Sequence, residues 1–124
     1  MTKLLFGDDT YTIIGICMMV HSSLGPGFLE AVYQEVLESE LARRSIPHER
    51  NVKLDIFYNG EKLSKFYIAD FVCYKKIILE IKSKEITSSE QERQLLNYLK
   101  ATNFRLGLLI NFGTPSLEFR RVIN

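Results

Sequence analysis

Apolar side chains recur at helical spacing at Phe28, Leu29, Val32, Tyr33, Val36, Leu37 and Leu41, which predicts an amphipathic helix from Gly27 to about Arg44. Upstream, Asp8, Asp9 and Thr10 are good capping residues for a helix through TIIGICMMVHSS. That helix should end at Leu24-Gly25, where Pro26 enforces a break. After Arg44 the period changes. VKLDIFY (52–58) and KLSKFYIADFVC (62–73) flank Asn59-Gly60, a pair suited to the positive φ angles of a tight hairpin turn. Lys75-Lys76 mark another turn, and KIILEIKS (76–83) has the apolar character of a central strand buried on both faces. Thr87, Ser88 and Ser89, followed by Glu90, Gln91 and Glu92, open a helix that runs to about Thr102. LGLLINF (106–112) reads as a further buried strand, and LEFRRVI (117–123) as an edge strand or edge packing.

Behind the first helix the order is therefore helix, three strands, helix, strand. Short connections make the three strands an antiparallel meander. The fourth strand follows a helix, so it should lie parallel to the third through a right-handed crossover. The expected fold class is α/β (α+β): an αβββαβ core with a mixed central sheet flanked by helices, plus an extra N-terminal helix. At 124 residues, 46% hydrophobic and 25% charged, the chain fits one domain spanning 1–124. The formal net charge of +1 lacks the basic excess of many dedicated nucleic-acid binders, so a polyanion site would have to be local. Cys17 and Cys73 lie far apart inside apolar segments, as buried free thiols do. The start MTKLLFGDD has no signal-peptide architecture and IIGICMMV is too short to span a bilayer, so a soluble cytoplasmic protein without membrane contact is expected.

The alternation of strand side chains then singles out three residues. Phe66, Ile68, Asp70 and Val72 should point one way, and Tyr67, Ala69, Phe71 and Cys73 the other. In the next strand Ile78, Glu80 and Lys82 share a face opposite the wholly apolar Ile77, Leu79 and Ile81. Charges within apolar strands are costly unless they are partnered. A three-residue connection at 74–76 sets Cys73 against Ile77 and Asp70 against Glu80. A two-residue turn would send Glu80 to the other face, so the odd connection or a bulge is predicted. Facing carboxylates repel unless a cation lies between them or one is protonated. A hard divalent ion with oxygen ligands, Mg²⁺ or Mn²⁺, is the natural neutraliser.

Asp70 followed by Glu80-Ile81-Lys82 resembles the D…ExK signature of the PD-(D/E)xK nuclease superfamily, whose restriction-endonuclease-like core has the αβββαβ order. HSSLGPGFLEAVY holds Gly27-x-x-Glu30-x-x-Tyr33. Together with ADFV, LEIKS, QLLNYLKAT and LGLLINFGTPSL it resembles the GxxExxY family, a branch of that superfamily, over nearly the whole chain. The resemblance implies that Asp70 and Glu80 are metal-binding carboxylates, aided by the Ile81 carbonyl. Lys82 would orient or activate the attacking water, and Glu30 would add a ligand directly or through water. Gln94 and Tyr98 resemble the Q-x-x-x-Y element of RecB-like nucleases, beside the active site. Ala69 replaces the proline of the signature, Ile68 stands where arginine is frequent, and Gln91 where histidine is.

The implied function is hydrolysis of DNA phosphodiester bonds with Mg²⁺ or Mn²⁺. RNA is the alternative substrate, and a homodimer or larger complex would supply grip. The rival is a non-catalytic nucleic-acid-binding or protein-assembly module that keeps the fold. Other polar residues have simpler readings. Glu30 gains from the helix dipole in any case. Glu40 is expected to pair with Arg44, His21 to cap or pack, and Tyr33 to be core with its hydroxyl at a polar group of the sheet edge. Tyr98 fits a core position equally well. Lys75, Lys76, Lys84, Arg93, Lys100 and Arg105 are the candidate nucleic-acid contacts.

Overall fold

The computed structural model describes residues 4–124. Its elements are α1 (Gly7–Leu24), α2 (Glu30–Arg43), β1 (His48–Tyr58), β2 (Glu61–Cys73), β3 (Ile77–Lys82), α3 (Ser89–Thr102), β4 (Leu106–Asn111) and β5 (Glu118–Ile123). The strands form one sheet in sequence order. The first three are antiparallel, β4 is parallel to β3, and β5 returns antiparallel at the edge. This is the expected mixed sheet, and the tail is a true strand. Among the described residues no helix is long and apolar enough to cross a membrane.

Helix starts show where local signals yielded. Asp8 and Asp9 lie inside the first turn of α1, and neither caps it; Phe6 is the N-cap, at a φ of 52°. The acidic pair still faces the positive end of the helix dipole. The second helix begins three residues later than its apolar period implies, because Gly27 holds a φ of 109° and Leu29 is an extended N-cap. Phe28 and Leu29 are thus exposed loop residues outside the apolar stripe, while Tyr33, Leu37 and Leu41 are fully buried. Ser88 caps α3 as its sequence implies, in a reciprocal capping box with Gln91.

The turns set the register. Asn59 and Gly60 both take positive φ between the paired Tyr58 and Glu61. Tyr74 and Lys75 also take positive φ, and Cys73 pairs with Ile77 across the three-residue connection. The odd connection is therefore realised, and the pairing it sets runs as far as Phe71 opposite Leu79, one residue short of Asp70 and Glu80.

Two cores sandwich the sheet. Beneath α1 and α2, Ile77, Leu79 and Ile81 pack with Leu106, Leu108, Ile110 and Phe112. Beneath α3, Ile78 packs with Leu95, Leu99, Leu109 and Val122. β2 departs from simple alternation: Tyr67 and Ala69 join Val72 beneath α3, whereas Phe71 and Cys73 face the other core. Phe66 and Ile68 are about half exposed. The change of face falls at Asp70, opposite Asn51, whose φ of 55° interrupts the extended backbone of β1. Cys17 and Cys73 are buried free thiols, and burial raises the Cys73 pKa to about 12.

Candidate active site

β2 and β3 are paired only from Phe71 to Cys73 on one strand and from Ile77 to Leu79 on the other. Beyond that point the ladder stops. Asp70 Oδ2 instead accepts a hydrogen bond from the backbone N–H of Ile81 at 2.7 Å. Where the strands part, a cleft of about 280 Å³ is lined by Tyr67 from β2, Glu80 and Lys82 from β3, Gln91, Gln94 and Tyr98 from α3, and neighbouring apolar groups. Four of the residues singled out from the sequence, Glu80, Lys82, Gln94 and Tyr98, share this cleft. Asp70 is not among the lining residues; it is bonded to the backbone of Ile81, which lies between Glu80 and Lys82 in sequence. Only the N–H of Ile81 is engaged with Asp70.

The electrostatics reflect buried carboxylates whose positive neighbours only partly offset burial. Burial raises the pKa of Glu80 to about 7; Lys82 opposes the rise and Glu30 adds to it. Asp70 is also raised, chiefly by burial. The Ile81 hydrogen bond, Lys82 and Arg50 pull it down, and Glu30 pushes it up. Glu30 thus lies within electrostatic reach of both carboxylates. Its own surroundings are distinct: Oε1 accepts from Ser83 N–H at 3.4 Å, and the side chain lines a second cavity with Phe28, Ser83, Lys84 and Gly113. Ser83 Oγ donates to the Phe28 carbonyl at 2.6 Å, fastening the loop before α2 to the end of β3. Among the described residues, no group of three His, Cys, Asp or Glu side chains is arranged to hold a metal ion. The structure does not bring Glu30, Asp70 and Glu80 together as a preformed triad.

The pair of Asp70 and Glu80 still suits a hard divalent cation. Both offer carboxylate oxygens, burial penalises the charge of both, and the Ile81 N–H occupies only one oxygen of Asp70.

Several other expectations resolve at this level. Tyr33 is fully buried and stacked on Phe112, with centroids 4.6 Å apart. Its hydroxyl donates to the Gly25 carbonyl and accepts from Phe28 N–H, so it anchors the loop before α2; the sheet edge is not its partner. His21 is buried with Nε2 2.9 Å from the Thr114 carbonyl, and Glu40 pairs with both Arg43 and Arg44. The basic candidates do not all converge into one patch. Lys75, Lys76 and Arg105 border one depression, where Lys76 is engaged by Asp9 at 2.9 Å and lies over the Phe6 ring, whereas Lys84 lines the cavity beside Glu30.

Asn111 was not singled out from the sequence. Fully buried at the end of β4, its Oδ1 accepts from the N–H groups of Lys84 and Gly113, and its Nδ2 donates to Thr87. It staples the segment after β3 to the sheet. Gly113 completes the junction, since a Cβ there would lie 2.4 Å from backbone atoms of Lys84. A buried asparagine at a strand end was the available signal, but its partners are distant in sequence. Arg50 was also missed; it bonds Glu38 at 3.1 Å and moderates Asp70.

Among solved structures, SSO0001 has a similar fold, with a TM-score of 0.58 and 22% identity over 76% of this chain and 49% of that one. This chain therefore spans about half the length of SSO0001. An alkaline exonuclease, LHK-Exo from Laribacter hongkongensis, gives a TM-score of 0.54 and 10% identity over 100% of this chain and 72% of that one. Likeness at these identities concerns the fold, which is restriction-endonuclease-like. No curated protein matches the sequence. Residues 7–122 match the sequence profile of the PD-(D/E)XK nuclease superfamily. On that match, which covers nearly the whole chain, the protein belongs to the PD-(D/E)XK nuclease superfamily.

Proposed function

We propose that this protein is a metal-dependent nuclease of the GxxExxY branch, acting on DNA phosphodiester bonds as a single nuclease domain. The observation that carries the reading is the meeting of Glu80 and Lys82 in the cleft where β2 and β3 part, with Asp70 held beside them by Ile81 N–H. Asp70 and Glu80, with the Ile81 carbonyl, would hold Mg²⁺ or Mn²⁺, and Glu30 would act on that ion through water. When bound, such an ion supplies Lewis-acid polarisation of the phosphate and a more acidic water. Lys82 holds its ammonium toward the phosphate and orients the attacking water. Gln94 and Tyr98 wall the cleft on the α3 side and support the substrate strand. A homodimer or a larger complex would extend the grip on DNA, in keeping with a cytoplasmic role.

A second reading, a non-catalytic nucleic-acid-binding or assembly module, is favoured by the absence of a preformed three-ligand metal cluster among the described residues. A cleavage panel of single-stranded, double-stranded and branched DNA and RNA, each with Mn²⁺ or EDTA, separates the two. The proposed function gives Mn²⁺-dependent cleavage of DNA. Cleavage of RNA alone would reassign the substrate, and no cleavage anywhere would favour the module.

A further inference from the structure

Tyr67 is 5% exposed, and its hydroxyl is buried with no hydrogen-bond partner among the described residues. A buried hydroxyl without a partner is destabilising, and so it calls for an explanation. Its ring is fixed: Tyr98 stacks on it with centroids 3.9 Å apart and planes 9° from parallel. Tyr67 also lines the cleft that holds Glu80 and Lys82. Among the described residues, the Lys82 ammonium makes no ion pair or hydrogen bond. Two complementary groups, a phenol and an ammonium, therefore line one cleft without bonding to each other or to a neighbour.

We propose that Tyr67 is a substrate-contacting residue whose hydroxyl donates to a phosphate oxygen of the nucleic acid while Lys82 engages the same phosphate group. This inference rests on the nuclease reading and adds a residue outside the acidic and lysine signature. An anion with several oxygens satisfies both donors at once, and a hydrogen bond from a neutral hydroxyl to an anionic oxygen is among the stronger ones. The stack on Tyr98 gives the phenol a fixed bearing, so little rotational freedom is lost on binding. Because the hydroxyl lies beneath the cleft surface, engagement requires the cleft side chains to shift as the phosphate enters.

The test is Tyr67→Phe, which removes one oxygen and leaves the stack intact. Kd is measured by fluorescence anisotropy with a labelled single-stranded DNA oligonucleotide in Ca²⁺. Steady-state cleavage in Mn²⁺ and the melting temperature without nucleic acid are measured alongside. Expected are a Kd and KM raised roughly tenfold to a hundredfold, as for loss of a hydrogen bond to a charged group, with a melting temperature equal to or above that of the wild type. Unchanged Kd and KM in a background where wild type cleaves and Lys82→Ala does not would overturn the role of Tyr67 alone. A melting temperature lowered by several degrees with binding unchanged would assign the hydroxyl a structural partner and overturn it equally. Failure of wild type to bind or cleave any DNA or RNA would remove the nuclease reading and this inference together.

Discussion

The two faces of β3 make opposite use of the same strand. On the α1/α2 side Ile77, Leu79 and Ile81 are almost wholly inaccessible and pack into a hydrophobic core. On the α3 side Ile78 is buried likewise, but Glu80 and Lys82 continue its row into an open cleft. The closed face holds the strand by packing, so the other face can carry charges whose burial is costly. Perturbed carboxylates gather where the sheet splits, a combination characteristic of sites kept for chemistry.

This contrast predicts that substitutions on the two faces will separate activity from stability. Asp70→Asn keeps an acceptor for Ile81 N–H but removes the charge. Cleavage should fall roughly 100-fold or more, with a melting temperature within a few degrees of wild type. A rate close to wild type would break the division. On the closed face Leu79→Ala should cost about 2–5 kcal/mol, read by urea denaturation, while the folded fraction keeps its specific activity. Equal losses of activity and stability would mean that the faces are coupled.

The pH dependence sharpens the point. The folded pKa of Glu80, near 7, lies above its ordinary value of 4.5. The native state therefore retains a proton that the unfolded chain releases. In EDTA, this contribution to stability is fully present below about pH 4.5 and is lost as pH rises through about 7. Glu80→Gln should then be more stable than wild type at pH 8, by on the order of 1–3 kcal/mol, with the advantage vanishing near pH 4. Thermal melts at the two pH values check this; a variant less stable at pH 8 would contradict the direction. The smallest effect belongs to the surface. Arg44→Ala removes one half-exposed partner of Glu40, which keeps Arg43, and should cost less than about 0.5 kcal/mol.

How far the sequence discloses this arrangement depends on the range of the interaction. Period-two alternation separated Leu79 from Glu80 and Lys82, and the three-residue connection fixed Cys73 against Ile77, because both are local rules. The superfamily was legible in the residues from Asp70 to Lys82 only together with the wider run of motifs from HSSLGPGFLEAVY to LGLLINFGTPSL. The change of face within β2 was not, since it coincides with a left-handed Asn51 on another strand. Nor was the late start of α2: the apolar period ran through Phe28 and Leu29, but backbone geometry at Gly27 and the Tyr33 hydroxyl hold that loop out of the helix. Glu30 shows both limits. Its helix and first-turn position were legible; its attachment to Ser83, apart from a three-carboxylate cluster, depends on tertiary packing.

The proposed function makes the α3-side face of β3 the catalytic one. Its most direct test is the Mn²⁺-dependent DNA cleavage rate of wild type, Lys82→Ala and Glu80→Ala, each confirmed folded by circular dichroism. A measurable wild-type rate that falls roughly 100-fold or more in both variants is expected. Equal rates in all three proteins would contradict it.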